Sequence, residues 1–217
     1  MTKIKNIKTV EFISIVVSFL GLVVMAGWYL EIEVLKSILP IWVSMEFTTA
    51  LSFFISGIIL NFVYRIIQEE STLSQTILII STLILWLIMI TFLLSTFMST
   101  NIGIENLFTI ETVNAVKTPS VGRPSIGTLL SFMSVASVGA IGMNGLREMR
   151  LYIYIIGMLL ISVAFIAILG YIISVPQLYY YSEEYGSGMA VHTAILFLLI
   201  GIGFYIIGKS RSKKYKE

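Results

Sequence analysis

The 217-residue chain contains no cysteine, no aspartate, a single histidine and only 12% charged residues. The lack of cysteine excludes disulfide frameworks, thiol nucleophiles and cysteine metal sites. One histidine and no aspartate also count against hydrolase triads and multi-histidine metal or haem sites. No glycine-rich phosphate loop stands in a strand context. We therefore expect neither an enzyme nor a cofactor.

The chain is instead rich in apolar residues. They make up 57% of it, and the mean hydropathy is +0.96, whereas a soluble domain is about 45–50% apolar. A run of about 20 apolar residues spans a bilayer as a helix. Six such runs occur: Val10–Leu30, Met45–Arg65, Leu73–Met98, Pro124–Leu146, Leu151–Val175 and Met189–Gly208. The sequence thus predicts an all-α integral membrane six-helix bundle, with residues 1–217 forming a single membrane domain.

The basic residues indicate how this bundle is oriented. In a six-span arrangement, only Lys36, Lys117 and Arg123 fall on one side, and the remaining lysines and arginines fall on the other. Cytoplasmic loops carry the excess of basic residues, so both termini are expected in the cytoplasm of a cell-membrane protein. Residues 209–217 form a short basic tail that suits anionic lipid. No nucleic-acid partner is indicated.

Three segments of the chain are similar to one another: "MEFTTALSF", "PSIGTLLSF" and "MAVHTAILF". Each has an upstream glycine, a threonine, a phenylalanine and a small residue at similar spacing. These residues are Gly27, Thr49, Phe53 and Gly57; Gly103, Thr128, Phe132 and Ala136; and Gly170, Thr193, Phe197 and Gly201. The pattern predicts three repeated hairpins, at about residues 10–67, 73–146 and 151–208. Each hairpin has an outgoing span, an external loop and a returning span.

The threonine motif is expected at the start of each returning helix. Met45, Pro124 and Met189 are then the first helical residues, since proline is best tolerated at that position. Ser44 and Gly188 are the expected N-caps, a position that both residue types favour.

Polar residues that break the repeat mark a candidate ligand or signal site. Glu46, Arg123 and His192 each lie within about one turn of the start of a returning span, and Glu105 follows the middle glycine. Converging helix N-termini would place positive dipole ends there. The repeated threonines Thr49, Thr128 and Thr193 complete this site. We expect His192 to pair with Glu46 or to meet an external ligand or proton; alternatively, it is only an interfacial residue.

Tyrosines are dense in "VPQLYYYSEEYG", just before the last span. Tyr179, Tyr180, Tyr181 and Tyr185 are expected to form an aromatic lid over an apolar or cationic ligand. An ordinary interfacial belt of aromatic residues is the alternative.

These motifs resemble the multi-span membrane sensory modules at the N-termini of bacterial and archaeal histidine kinases and diguanylate cyclases. The resemblance rests on "MEFTTALSFFISG", "GIENLF" with "GRPSIGTLLSF", and "GYIISVPQLYYYSEEYGSGMAVHTAILFLLIGIG". It implies detection of a stimulus and transmission to a cytoplasmic output domain. Nine residues follow Gly208, too few for a kinase or cyclase domain. We therefore expect the output to be a separate signalling protein or part of a longer chain, or the module to have another function.

Three functions remain open from the sequence. The first is a non-catalytic sensory module with an external site where the second, fourth and sixth spans begin. The second is a structural or assembly subunit of a larger membrane complex. A transporter is the third, and it is disfavoured because ionisable residues are lacking near the bilayer midplane.

Overall fold

The structure, a computed structural model, describes residues 2–39, 42–68, 71–98, 124–142, 150–180 and 188–210. Within these ranges the chain forms helices and turns and contains no strand, so the all-α prediction is confirmed for them. The helices are α1 (Thr2–Tyr29), α2 (Glu33–Lys36), α3 (Phe47–Gln68), α4 (Thr72–Met98), α5 (Ile126–Gly142), α6 (Arg150–Ile172) and α7 (Val191–Lys209). A 3₁₀ turn, Pro176–Leu178, lies between α6 and α7.

Five helical stretches are long and apolar enough to cross a membrane. They are Lys8–Tyr29, Phe47–Ile67, Thr72–Met98, Arg150–Ile172 and Val191–Lys209. The described part of α5 is shorter, at 17 residues, and the predicted fourth span continues beyond it into residues outside the described ranges. The helices are thus compatible with a multi-pass membrane protein.

The helices pack most extensively as three pairs, which we call the first hairpin (α1 and α3), the second hairpin (α4 and α5) and the third hairpin (α6 and α7). Neighbouring hairpins meet where α3 contacts α4, where α5 contacts α6 and where α7 contacts α1. In addition, α3 contacts both α5 and α7. The three later helices of the hairpins therefore lie on the inside of the described bundle.

Phe53, Phe132 and Phe197 form a phenylalanine cluster that joins these inner helices. All three side chains are fully buried, and their ring centroids lie 4.8, 4.8 and 4.7 Å apart. The rings meet at tilted or edge-on angles, the geometry that aromatic pairs prefer. Because each phenylalanine lies near the start of its helix, α3, α5 and α7 begin at one end of the bundle. We call this the entry end.

Glycine permits close helix contact at matching positions of α3 and α7, in the first and third hairpins. A Cβ atom at Gly57 would lie 2.6 Å from the Ser14 carbonyl oxygen, and one at Gly201 would lie 2.9 Å from the Gly157 carbonyl oxygen. In both cases the obstacles include backbone atoms of the partner helix, which move less readily than a side chain. Small residues thus set the helix separation within these hairpins.

Candidate functional site at the entry end

The inner helices begin two residues later than the sequence predicted. The carbonyls of Glu46, Ser125 and Ala190 accept the first helical hydrogen bonds, from Ala50 at 3.0 Å, Leu129 at 2.9 Å and Ala194 at 3.0 Å. Glu46, Ser125 and Ala190 are therefore the N-caps of α3, α5 and α7. The prediction of Ser44 and Gly188 as caps, with helices starting at Met45, Pro124 and Met189, was wrong.

Backbone hydrogen bonds to the preceding loops explain this shift in two of the helices. The Met45 N–H donates to the Lys36 carbonyl at 2.8 Å, and the Met189 N–H donates to the Tyr179 carbonyl at 2.8 Å. Both methionines stay outside the helix while their side chains are buried. The hydrogen bond between each methionine and its loop therefore decides where the helix begins. No pattern in the neighbouring sequence indicates this bond.

The loops of the first and third hairpins are closed by the same set of bonds. The Gly27 carbonyl accepts from Ile32 at 2.9 Å, and the Gly170 carbonyl accepts from Val175 at 2.9 Å. Glu31 and Ser174, each four residues after its glycine, share a left-handed backbone with φ 56°.

The aromatic residue that follows each glycine also has an equivalent contact in the two hairpins. The Trp28 Nε1 donates to the Met45 carbonyl at 2.8 Å, and the Tyr171 hydroxyl donates to the Met189 carbonyl at 2.9 Å. Sequence analysis missed this role of Trp28 and Tyr171. The matching position of these two aromatic residues, each directly after a glycine, was the signal that could have identified it.

Buried polar side chains line the entry end above the phenylalanine cluster. Thr49, Thr128 and Thr193 are all buried, as is Glu46, which is 5% exposed. The Ser125 hydroxyl accepts a hydrogen bond from the Thr128 N–H at 3.2 Å and lies 2.8 Å from the Thr128 hydroxyl. This is an N-cap interaction within α5.

His192 lies against the loop of the first hairpin. Its imidazole hydrogen bonds to the backbone of Lys36, the residue whose carbonyl also accepts the Met45 N–H. Its Nε2 atom is buried without a hydrogen-bond partner. Thr48 stands at the matching position of "MEFTTALSF", and its hydroxyl is likewise buried and unpartnered. The partner identified for His192 is thus a backbone group, which a motif search cannot anticipate.

Lys36 is a further residue that sequence analysis missed, because it was treated only as a loop charge. It is 8% exposed, and its Nζ lies 2.9 Å from Glu33 Oε1 and 4.6 Å from the centre of the Trp28 ring. An ammonium group is therefore held at the entry end by a carboxylate and an aromatic face.

Tyr171 connects the loops of the first and third hairpins. Its hydroxyl accepts a hydrogen bond from the Val43 backbone, its ring centroid lies 5.3 Å from that of Trp42, and Tyr179 stacks on it at 3.9 Å with 13° between the planes. Tyr179 and Tyr180 are half-buried. The other predicted site residues, Tyr181, Tyr185, Arg123 and Glu105, lie outside the described residues.

Within the described ranges, no group of three or more histidine or acidic side chains is arranged to hold a metal ion. The chemistry available at the entry end is hydrogen bonding, charge and aromatic contact. Comparison of the chain with protein-family models, with curated proteins and with solved structures gave no match.

Proposed function

We propose that the protein is a non-catalytic sensory or signal-receiving membrane module whose input site is the entry end. The phenylalanine cluster is the observation that carries this proposal. It joins the three inner helices directly below Glu46, Ser125 and Thr193, so that displacement of one helix start is resisted by the other two. Close-packed side chains transmit such displacements because they leave no free volume to absorb them.

The repeat belongs to the same proposal. We infer a threefold arrangement of hairpins, with both termini in the cytoplasm and the entry end facing outward. The equivalent loop bonds of the first and third hairpins and the meeting of the three aligned phenylalanines support it. The signal would pass along the inner helices to a separate cytoplasmic or membrane signalling protein, as the resemblance to sensory modules implies.

Packing favours this function over an assembly subunit. The subunit hypothesis needs the small-residue faces of the spans to contact other proteins. In α5 these residues instead pack inside the chain: Ser131, Ala136 and Gly139 are buried, and Gly139 lies against Thr82 of α4. The exposed residues of α4 include bulky Leu83, Leu87 and Phe97, which suit contact with lipid.

A distance measurement across the bundle tests the proposal. Because the chain has no cysteine, cysteines introduced at Ile67 in α3 and Lys209 in α7 can be spin-labelled specifically. We expect Glu46→Gln and His192→Phe, both at the entry end, to change the distance distribution between these labels at the opposite end. Phe132→Leu should reduce that change.

Glu31→Gln is the matched control, because Glu31 is an exposed carboxylate at the entry end that lies outside the buried polar group. It should leave the distribution as in the parent protein. Identical distributions in the parent, Glu46→Gln and His192→Phe proteins would contradict a module that transmits changes from this site.

A further inference from the structure

The entry end is rich in groups that attract a cation or accept a hydrogen bond. The loops and helix starts of the first and third hairpins carry the Glu46 carboxylate, the His192 imidazole and the rings of Trp28, Trp42 and Tyr171. They form one connected set through the Lys36 backbone, which bonds to both Met45 and His192, and through Tyr171, which bonds to both Val43 and Met189. We call this set the acceptor patch.

His192 supplies a lone pair at this patch. Its bond to the Lys36 backbone involves Nδ1, since Nε2 is the ring nitrogen without a partner. When Nδ1 donates to a carbonyl, the neutral ring presents Nε2 as an acceptor. A buried acceptor without a donor is costly and uncommon in folded proteins. A ligand that carries an N–H group would remove that cost.

Lys36 shows that an ammonium ion is accommodated beside the patch. Its amine is nearly buried, and both a carboxylate and an indole ring contact it. Aromatic faces and carboxylates are the groups that recognise organic ammonium ligands in proteins generally. Trp42, in the loop of the same hairpin, supplies a second aromatic ring, whose centroid lies 5.3 Å from that of Tyr171.

The charge of Glu46 favours a cation over an anion at this place. The N-terminal ends of α3, α5 and α7 alone would attract an anion. Glu46 is the N-cap of α3 and is 5% exposed, so its carboxylate opposes that field from within the site. A lone pair at His192 also repels an anion.

We propose that the acceptor patch binds a small organic ammonium ion that donates an N–H hydrogen bond to His192 Nε2 and is balanced by Glu46. This inference rests on the proposed function, because it names the ligand class of the same input site. The Trp42 ring contacts the alkyl part and the positive charge of the ligand, since Tyr179 already covers one face of Tyr171. An ammonium ion without N–H groups lacks the hydrogen bond to His192 and binds more weakly.

Titration of the full chain in nanodiscs tests this inference. Methylammonium chloride is compared with tetramethylammonium chloride and sodium chloride at equal ionic strength. The readout is the fluorescence of Trp28 and Trp42 in a Trp86→Phe background, which removes the third tryptophan of the chain. We expect a saturable change with methylammonium and a much weaker response to tetramethylammonium. Sodium chloride should give no saturable change in fluorescence.

Variants assign the response to the patch. His192→Phe keeps a ring but removes the lone pair, and it should weaken methylammonium binding roughly tenfold, the effect of one hydrogen bond. Glu46→Gln should abolish saturation, whereas Glu31→Gln should bind as the parent does. The absence of saturation in the parent, equal responses to both ammonium ions, or unchanged binding by His192→Phe would overturn the inference.

The outcome is separable from that of the proposed function. If methylammonium does not bind but the variants still change the distance between Ile67 and Lys209, only the ligand class is wrong. If methylammonium binds with the expected selectivity but neither it nor the variants change that distance, the site binds a ligand and the signalling proposal is wrong.

Discussion

Trp28 is hydrogen bonded to Met45, with the indole Nε1 donating to the methionine carbonyl at 2.8 Å. This bond joins the last turn of α1 to the residue before the N-cap of α3. Trp28→Phe removes the donor but keeps a ring in place, and it leaves the Met45 carbonyl without this partner. We expect a loss of about 1–2 kcal/mol in the free energy of unfolding, measured by denaturant titration in one detergent.

Trp86→Phe provides the matched control, since Trp86 lies on α4 away from the entry end. It should change the free energy of unfolding less than Trp28→Phe does. Equal stabilities for the two variants would show that the bond between Trp28 and Met45 does not hold the first hairpin closed.

Two glycines on α7 should differ in their tolerance of alanine. A Cβ atom at Gly201 would lie 2.9 Å from the Gly157 carbonyl oxygen and 3.0 Å from the Ile161 nitrogen, both backbone atoms. At Gly203 it would lie 2.8 Å from the end of the Leu60 side chain, which can rotate away. We expect Gly201→Ala to cost about 1–3 kcal/mol and Gly203→Ala clearly less, as measured by thermal unfolding in nanodiscs. The reverse order would argue against close backbone packing in the third hairpin.

Arg150 should protect the last turn of α7 from opening. Its Nη1 donates to the Ser210 carbonyl, and Ser210 is the C-cap of that helix, where a cation also complements the helix dipole. Arg150→Gln should weaken the last turn by roughly 0.5 kcal/mol, detected as faster amide hydrogen exchange near Lys209. Arg65→Gln should leave this exchange unchanged, since Arg65 bonds to Asn61 on its own helix. Unaltered exchange in Arg150→Gln would contradict the capping role.

The orientation predicted by the basic residues can be tested with single cysteines in this cysteine-free chain. Val34 is 76% exposed at the entry end, and Lys209 is exposed at the opposite end. We expect a membrane-impermeant maleimide to label Val34→Cys in intact cells. Lys209→Cys should react only after permeabilisation. The opposite pattern would place the entry end in the cytoplasm and refute both the orientation and an external input site.

Sequence reasoning located the long helices because hydropathy alone determines them. The predicted third span, Leu73–Met98, differs from α4 by a single residue at its start. By contrast, the four-residue helix Glu33–Lys36 was not predicted, since it is too short to produce a periodic pattern. The helix starts were also misplaced, because the Met45 and Met189 N–H groups bond to loops that the sequence does not bring together.

The candidate site was only partly predictable for a similar reason. Glu46 and His192 were identified because they differ from the matching positions of the three similar segments, and such an alignment needs only one sequence. The burial of Lys36 and the bridging role of Tyr171 depend on contacts between different hairpins. Those contacts follow from tertiary packing, so no local pattern of charge or hydropathy could have indicated them.

The self-closed loops of the first and third hairpins have a consequence for biogenesis. Among the described residues, the hydrogen bonds that close each loop stay within the hairpin; they involve Gly27 and Met45 in the first and Gly170 and Met189 in the third. Contacts between residues near in sequence form fastest, so each pair of spans can close during translation before the next pair leaves the ribosome. The polypeptide would then insert into the membrane as pairs of helices. The contact between Tyr171 and Val43 would form last, when the pairs assemble.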